Sequence, residues 1–282
     1  MKKMVITAAL FLAVVFVYAQ EEQRRLRFFY EDPEVIRLLE EYNARLWYRT
    51  YECPWHELLF ARAPFEAFQK LFALGVDTEQ EGIQRDRPLM EAISSRRDDV
   101  VEFLLSHGAD AHRANRQGGT PLVRAAAFGN PRIIELLINA GASTDVTRAL
   151  LAVFTRGGNP YHAEKTRILL ENGADANAVT SNGWTPLLMA ARNDLACSEA
   201  TRLLISAGAN IHALSPEGQS ALMLVVMNAS NAHNLVEITL LLEAGVDARL
   251  RDNTGRTALE WFDMNQRINR HPIRRELWER TM

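Results

Sequence analysis

Six glycines recur along the chain at nearly constant spacing, and this spacing constrains the fold more than any other feature. Each is followed by Ala or Val, and the intervals are 33, 33, 32, 35 and 37 residues. The six are Gly75, Gly108, Gly141, Gly173, Gly208 and Gly245. A repeat of this length is one supersecondary unit that buries its apolar face by stacking on its neighbours. The spacing therefore predicts a stack of repeats with one extended core.

The clearest repeat is the stretch 118–142, which predicts two short helices. Thr120 is a favourable N-cap, and a proline in the next position loses no helical hydrogen bond. Gly129 is expected to end the first helix, and the second begins after Asn130. The second helix carries an apolar stripe at helical spacing, formed by Ile133, Ile134, Leu136 and Leu137. Because helices under about 12 residues are marginal alone, the pair needs neighbours on both sides.

These units resemble the ankyrin repeat. The triplets that begin at Thr120 and Thr185 read Thr-Pro-Leu, as in that family, and weaker versions begin at Arg87, Ser220 and Thr257. The helix ends Gly-Ala-Asp at 108–110 and 173–175, and Gly-Ala-Asn at 208–210, also match. The resemblance implies an all-α solenoid of helix-turn-helix units joined by β-turn fingers. It also implies a non-catalytic scaffold that binds a protein partner.

The N-terminal residues 1–19 read as a signal peptide, which indicates an exported, periplasmic or secreted protein. Lys2 and Lys3 precede an apolar run that ends at Tyr18, one residue before Ala19. An uncleaved anchor is the alternative, but the run is shorter than the roughly 20 residues of a spanning helix. We expect cleavage after Ala19 and no stable membrane insertion of the mature chain. The two lysines before a short apolar run are compatible with export from a bacterial cell.

After the signal peptide we expect an N-terminal capping helix within 20–50 and an ankyrin-repeat domain of about seven units over 51–282. The last unit has a polar second helix, as a C-terminal cap requires. Losing Lys2 and Lys3 takes Lys+Arg from 32 to 30 against 35 acidic residues, a net charge of −5 that argues against nucleic-acid binding. Cys53 and Cys197 lie four repeats apart, too far for an internal disulfide.

The sequence contains no zinc, Walker, dinucleotide or serine-hydrolase motif, so we expect no enzyme activity, cofactor or metal, and a monomer. The fourth unit is irregular. Ten residues separate Ala109 from Thr120, but only four separate Ala142 from Thr147, so its finger is missing. The missing finger predicts a notch beside Trp184 that a partner's side chain or loop could enter.

The resemblance implies that a partner binds the concave surface formed by the finger tips and the first helix of each unit. By position the finger residues are Arg116, Gln117, Gly119, Ser181, Asn182, Trp184, Glu217, Gln219, Asn253 and Arg256. The first-helix residues are Phe128, Arg192 and Met227. Trp184 is the leading candidate for an interface anchor, with packing on a neighbouring finger as the alternative.

Three other interpretations stay open. Long turns at 157–162, 193–198 and 228–234 could form a second binding surface. An enzyme or toxin-associated component could have its site in the irregular fourth repeat, near Tyr161 and His162. A host-directed effector, secreted beyond the cell, is the third.

Overall fold

The computed structural model describes residues 33–42, 54–79, 86–155, 160–193, 197–229 and 232–281. Fifteen helices and no strand occur in these ranges, which confirms the predicted all-α fold. The predicted signal peptide and Cys53 lie outside the described residues. The chain divides into two compact units, residues 1–110 and 111–282, and each is described on its own.

The first unit contains a single helix followed by two helix pairs. The helices are α1 (Pro33–Glu41), α2 (Pro54–Phe60), α3 (Phe65–Ala73), α4 (Pro88–Ser94) and α5 (Asp98–Ser106). Helix α1 buries Val35 and Leu39 and packs against α2 and α3, the position expected of an N-terminal cap. Trp55 is fully buried, stacks on Phe68 and donates a hydrogen bond to the Asp77 carbonyl at 3.1 Å, so it is a core residue.

The second unit contains five helix pairs. They are α6 (Pro121–Phe128) with α7 (Pro131–Asn139), α8 (Val146–Val153) with α9 (His162–Glu171), α10 (Pro186–Ala191) with α11 (Ser198–Ser206), α12 (Ala221–Asn228) with α13 (Ala232–Glu243), and α14 (Ala258–Met264) with α15 (Ile273–Thr281). Each first helix contacts the first helix of the next pair, and the second helices from α7 to α13 do the same. The result is two layers of helices with the apolar core between them.

The predicted helix starts and ends are present. The Thr120 hydroxyl accepts a hydrogen bond from the Val123 amide, and the side chain of Asn130 accepts one from Ile133. At the end of α7, Gly141 has φ of 95°, and the next amide donates to the Leu137 carbonyl at 3.0 Å. This left-handed turn satisfies a free carbonyl of the helix and suits glycine, which lacks a Cβ.

The structure confirms that the fourth repeat, formed by α8 and α9, lacks its finger. Four links between pairs have fourteen residues each, at 107–120, 172–185, 207–220 and 244–257, whereas the link before α8 has six, at 140–145. Helix α8 begins at Val146, one residue before Thr147, and its N-cap Asp145 makes no side-chain capping bond. In place of a finger-to-finger contact, Arg148 Nη2 donates to the Gly118 carbonyl of the preceding finger at 2.8 Å.

Candidate protein-binding surface

Four fingers in the described part of the second unit, at 115–119, 180–184, 215–219 and 252–256, share one backbone turn. In the finger 180–184, the Thr180 amide donates to the Trp184 carbonyl and the Gly183 amide donates to the Thr180 carbonyl, both at 2.9 Å. Gly183 has φ of 79°, and the glycines at the same position in the other fingers are also left-handed. The fingers are therefore equivalent turns.

The first side chain of each finger anchors the turn, a role that the sequence analysis missed. Its oxygen accepts a hydrogen bond from the amide four residues further on. The four bonds run from Gly119 to Asn115 at 3.0 Å, from Trp184 to Thr180 at 3.0 Å, from Gln219 to Ser215 at 3.2 Å and from Arg256 to Asp252 at 3.0 Å. The signal was available, since Asn, Thr, Ser or Asp lies three residues before each finger glycine.

Asp252 is the most extensively bonded of these anchors. Its Oδ1 accepts from the Thr254 amide and hydroxyl, and its Oδ2 accepts from Trp261 Nε1 at 2.8 Å. Burial alone would raise the pKa of this carboxyl. The hydrogen bonds from Thr254, Arg256 and Trp261 outweigh burial and hold the pKa below its ordinary value. Asp252 therefore stays ionised and holds both its own finger and helix α14.

The last three fingers lie side by side. The Asn253 amide donates to the Glu217 carbonyl at 3.0 Å, and Asn253 Nδ2 donates to the Pro216 carbonyl at 3.1 Å. Pro216 lies against Gly183, where an added Cβ would be 3.5 Å from the proline ring. Backbone contacts of this kind hold the finger tips in a fixed order.

Two of the predicted finger residues each contact the predicted first-helix residue that lies eight positions further along the chain. The Arg192 guanidinium carbon lies 4.9 Å from the centroid of the Trp184 ring, and Gln219 Nε2 donates to Met227 Sδ at 3.5 Å. Trp184 is half-buried, with Arg192 exposed above it. The ring of Trp184 thus contacts the residue that follows the first helix of its own repeat, and the cation lies over the aromatic face.

A cleft of about 680 Å³ opens beside this pair. Its lining residues are Phe154, Thr155, Thr180, Asn182, Trp184, Met189, Arg192, Asn193 and Asn228. Phe154 and Thr155 follow the end of α8, in the unit that lacks its finger. Among the predicted site residues the cleft brings together Asn182, Trp184 and Arg192, and it does not include the others.

The remaining predicted residues are distributed along the fingers. Those at exposed finger tips are Arg116, Gln117, Ser181, Glu217 and Asn253, whereas Gly119 is half-buried. Arg256 lies 4.9 Å above the ring of Trp261. Phe128, half-buried with Arg124 5.6 Å above its ring, lies one position further from its N-cap than Arg192 and Met227 do from theirs. Phe128 is therefore not the structural equivalent of those two residues.

Asparagines take the Phe128 position in the last three pairs. Asn228 Nδ2 donates to the Arg192 carbonyl at 3.1 Å, and Asn265 Nδ2 donates to the Val226 carbonyl at 2.8 Å. Asn193 occupies the same position in its pair. In the fourth pair the buried Lys165 serves the same purpose, since its Nζ donates to the Ala126 carbonyl at 2.9 Å. These bonds satisfy the free carbonyls at the ends of the first helices.

The turns on the opposite side bring together a buried cluster that the sequence analysis did not foresee. His162 Nδ1 lies 3.3 Å from Cys197 Sγ, and the Cys197 amide donates to the carboxylate of Glu237. Thr201 Oγ1 also donates to Glu237. All four residues are buried. Parts of the long turns of the second predicted surface, at 157–159, 194–196 and 230–231, lie outside the described residues.

The cluster contains the residue types of a cysteine-based active site, near the place that the enzyme hypothesis favoured. Burial, followed by the negative charge of Glu237, raises the pKa of the Cys197 thiol to about 12. A thiol with that pKa stays protonated at neutral pH, whereas the thiolate is the nucleophile. The contact between His162 and Cys197 thus has the properties of core packing.

The described residues contain no group of three His, Cys, Asp or Glu side chains arranged to hold a metal ion. None of their helices combines the length and apolar character that a membrane span requires.

Stacked helix pairs joined by β-turn fingers define the class of ankyrin-repeat proteins, and family models agree. A model of three ankyrin repeats matches residues 59–148, a model of many copies matches 162–194, and the single-repeat model matches 182–215. The chain belongs to the ankyrin-repeat family. Ankyrin repeats are generally protein-interaction scaffolds and are typically non-catalytic.

Solved ankyrin domains are similar to this chain. The ankyrin repeat domain of Bcl-3, a member of the IkappaB protein family, is 26% identical, with a TM-score of 0.57, and the match covers 76% of this chain and 95% of that one. The human ASB11 ankyrin repeat domain is 24% identical, with a TM-score of 0.65 and coverage of 81% and 98%. No curated protein matches the chain.

Proposed function

We propose that this chain is a non-catalytic scaffold that binds a protein partner through the fingers and first helices of residues 111–282, centred on the cleft beside Trp184. The observation that carries the proposal is the cleft itself, of about 680 Å³, whose lining includes Phe154 and Thr155 of the repeat that lacks its finger. Its walls include a half-buried tryptophan and an exposed arginine. Tryptophan and arginine are enriched among the residues that dominate protein interfaces.

The rigidity of the surrounding structure supports the same proposal. The turn 180–184 is closed by backbone bonds at 2.9 Å and by the Thr180 side chain. The end of helix α10 is held by Asn228. A surface that is fixed before binding loses little conformational entropy when a partner docks. The residues beside the cleft are therefore presented in a ready-made geometry.

Comparison of Trp184→Ala with Trp278→Ala tests the proposal. Trp278 is a matched control because it is 48% exposed but lies on helix α15, away from the fingers. Affinity capture with mass spectrometry should yield a protein that binds the unaltered chain and Trp278→Ala. Its affinity for Trp184→Ala should fall by about 2 kcal/mol or more, roughly thirtyfold. Equal binding to both variants would place the interface elsewhere.

We further propose that the protein acts outside the cytoplasm after removal of residues 1–19. Support comes from Lys2, Lys3 and the short apolar run of the sequence. The N-terminal residue of the protein purified from its source cells should then be Gln20. Recovery from the periplasmic fraction would agree with a periplasmic scaffold, and recovery from the culture medium would favour a secreted, host-directed effector. A protein that retains Met1 in the cytoplasm would contradict both.

A further inference from the structure

We infer that the cleft beside Trp184 binds a carboxylate that an extended segment of the partner protein presents to Arg192. This inference rests on the proposed function and adds the chemistry of the partner. The carboxylate is that of an Asp or Glu side chain within the segment.

The guanidinium of Arg192 is exposed, and it forms no ion pair or hydrogen bond with any residue that the structure describes. Its contact is with the Trp184 ring, 4.9 Å from the guanidinium carbon to the centroid. Stacking on an aromatic face fixes the plane of the guanidinium and leaves the N–H groups at its edge able to donate. A planar fork of donors matches the two oxygens of a carboxylate.

Two other exposed arginines of the second unit are paired with acidic neighbours. Arg167 pairs with Glu171 at 3.0 Å, and Arg251 pairs with Glu260 at 3.2 Å. Arg192 is the charged side chain of the cleft's described lining, which contains no acidic residue. The cleft is thus electrostatically complementary to an anionic group, although the protein as a whole has a net charge of −3.

The surroundings of Arg192 also favour an acceptor ligand. The indole N–H of Trp184 has no hydrogen-bond partner among the described residues, so the cleft offers a second donor. Arg192 follows the end of helix α10, and its own carbonyl accepts a hydrogen bond from Asn228 Nδ2. An incoming carboxylate therefore meets N–H groups.

The volume of the cleft argues for a segment of chain. Sites of about 300–1,000 Å³ hold drug-sized ligands, and 680 Å³ is well above what one carboxylate needs. Neutral hydrogen-bonding side chains of Thr155 and Asn182 line part of the remainder. They suit the amide groups of an extended peptide, which alternate donors and acceptors.

Selection of displayed random peptides on the full chain tests this inference. One library presents peptides flanked on both sides, and a second presents peptides with a free C-terminus. We expect enriched sequences with Asp or Glu at one fixed position in the first library. A shared C-terminal pattern in the second library, with no enrichment in the first, would overturn the assignment to a side chain. Synthetic copies of the enriched peptides should bind about tenfold more weakly when the carboxylate is replaced by an amide. The unmodified peptides should bind the Arg192→Gln variant about tenfold more weakly than the unaltered chain.

Arg167→Gln is the matched control, since Arg167 is an exposed arginine on helix α9 and lies outside the cleft lining. It should bind the same peptides as the unaltered chain does. Arg167→Gln and Arg192→Gln should both have the melting temperature of the unaltered chain. Peptides that require Trp184 but bind Arg192→Gln and the amide versions equally well would overturn the carboxylate inference and leave the proposed function in place. Failure of both libraries to enrich any peptide on the chain would count against both.

Discussion

The side chain of Glu237 ends in a carboxyl group that the helices of the second unit enclose. Its side chain is fully buried, and Oε2 has no hydrogen-bond partner in the described structure. Burial raises its pKa to about 7, against an ordinary value of 4.5, although hydrogen bonds from Thr201 and the Cys197 amide oppose the shift. Between these two pH values the folded protein binds a proton that the unfolded chain releases. Stability must therefore fall as the pH rises through this window.

Glu237→Gln should remove this dependence. In the unaltered protein, burial of Glu237 should lower the free energy of unfolding by roughly 2–3 kcal/mol between pH 5 and pH 8. Other groups also titrate, so the measurement is the difference between the unaltered chain and Glu237→Gln in urea unfolding at the two pH values. Glu243→Gln, which alters an exposed glutamate near the end of the same helix, should retain the loss. Identical pH profiles for all three proteins would contradict the assignment.

At the scale of the element, the finger anchors differ in how much they hold. Asp252 is buried and accepts bonds from two backbone amides and from the Trp261 indole, whereas Thr180 is half-buried and accepts from the Trp184 amide. Asp252→Ala leaves these donors without partners and should cost about 1–3 kcal/mol of unfolding free energy. Thr180→Ala should cost less, because water can replace the hydroxyl. Chemical denaturation of both variants measures the order, and a larger loss for Thr180→Ala would show that the anchors are misassigned.

Much of the element structure could be predicted from local sequence. The N-caps at Thr120 and Thr185 and the left-handed Gly141 depend on neighbours within a few residues, so the pattern predicts them correctly. The contact between His162 and Cys197 could not be predicted in this way. It depends on how two turns of different length bring the starts of α9 and α11 together.

The candidate cleft shows the same division. The six-residue link before α8 predicts the missing finger from residue counts alone. Which side chain covers Trp184 depends on packing across the unit, and the contact with Arg192 and the cleft became visible only in the structure. The predicted match of Phe128 with Arg192 and Met227 is off by one position for a similar reason. One residue along a helix turns a side chain by about 100°, so Phe128 points in a different direction.

At the scale of the molecule, a repeat stack should transmit damage mainly to adjacent repeats. Leu137 is fully buried on helix α7, which packs against α6 and α9. Leu137→Ala should cost about 2–5 kcal/mol. Amide hydrogen exchange should increase most in α6, α7 and α9 and least in α14 and α15. Asn139→Ala, an exposed change on the same helix, is the control, and a uniform increase across 111–282 would contradict nearest-neighbour coupling.

The two sides of the repeat differ in how strictly chain length is held. The complete links between pairs have fourteen residues, but the turns within pairs vary from two residues, at 129–130, to eight, at 265–272. Foreign sequence added within a pair would leave the finger register untouched, whereas even one residue added to a link would displace a finger. The turns within pairs are therefore the places where an epitope or a fluorescent reporter can be spliced into this protein while its fingers keep their order.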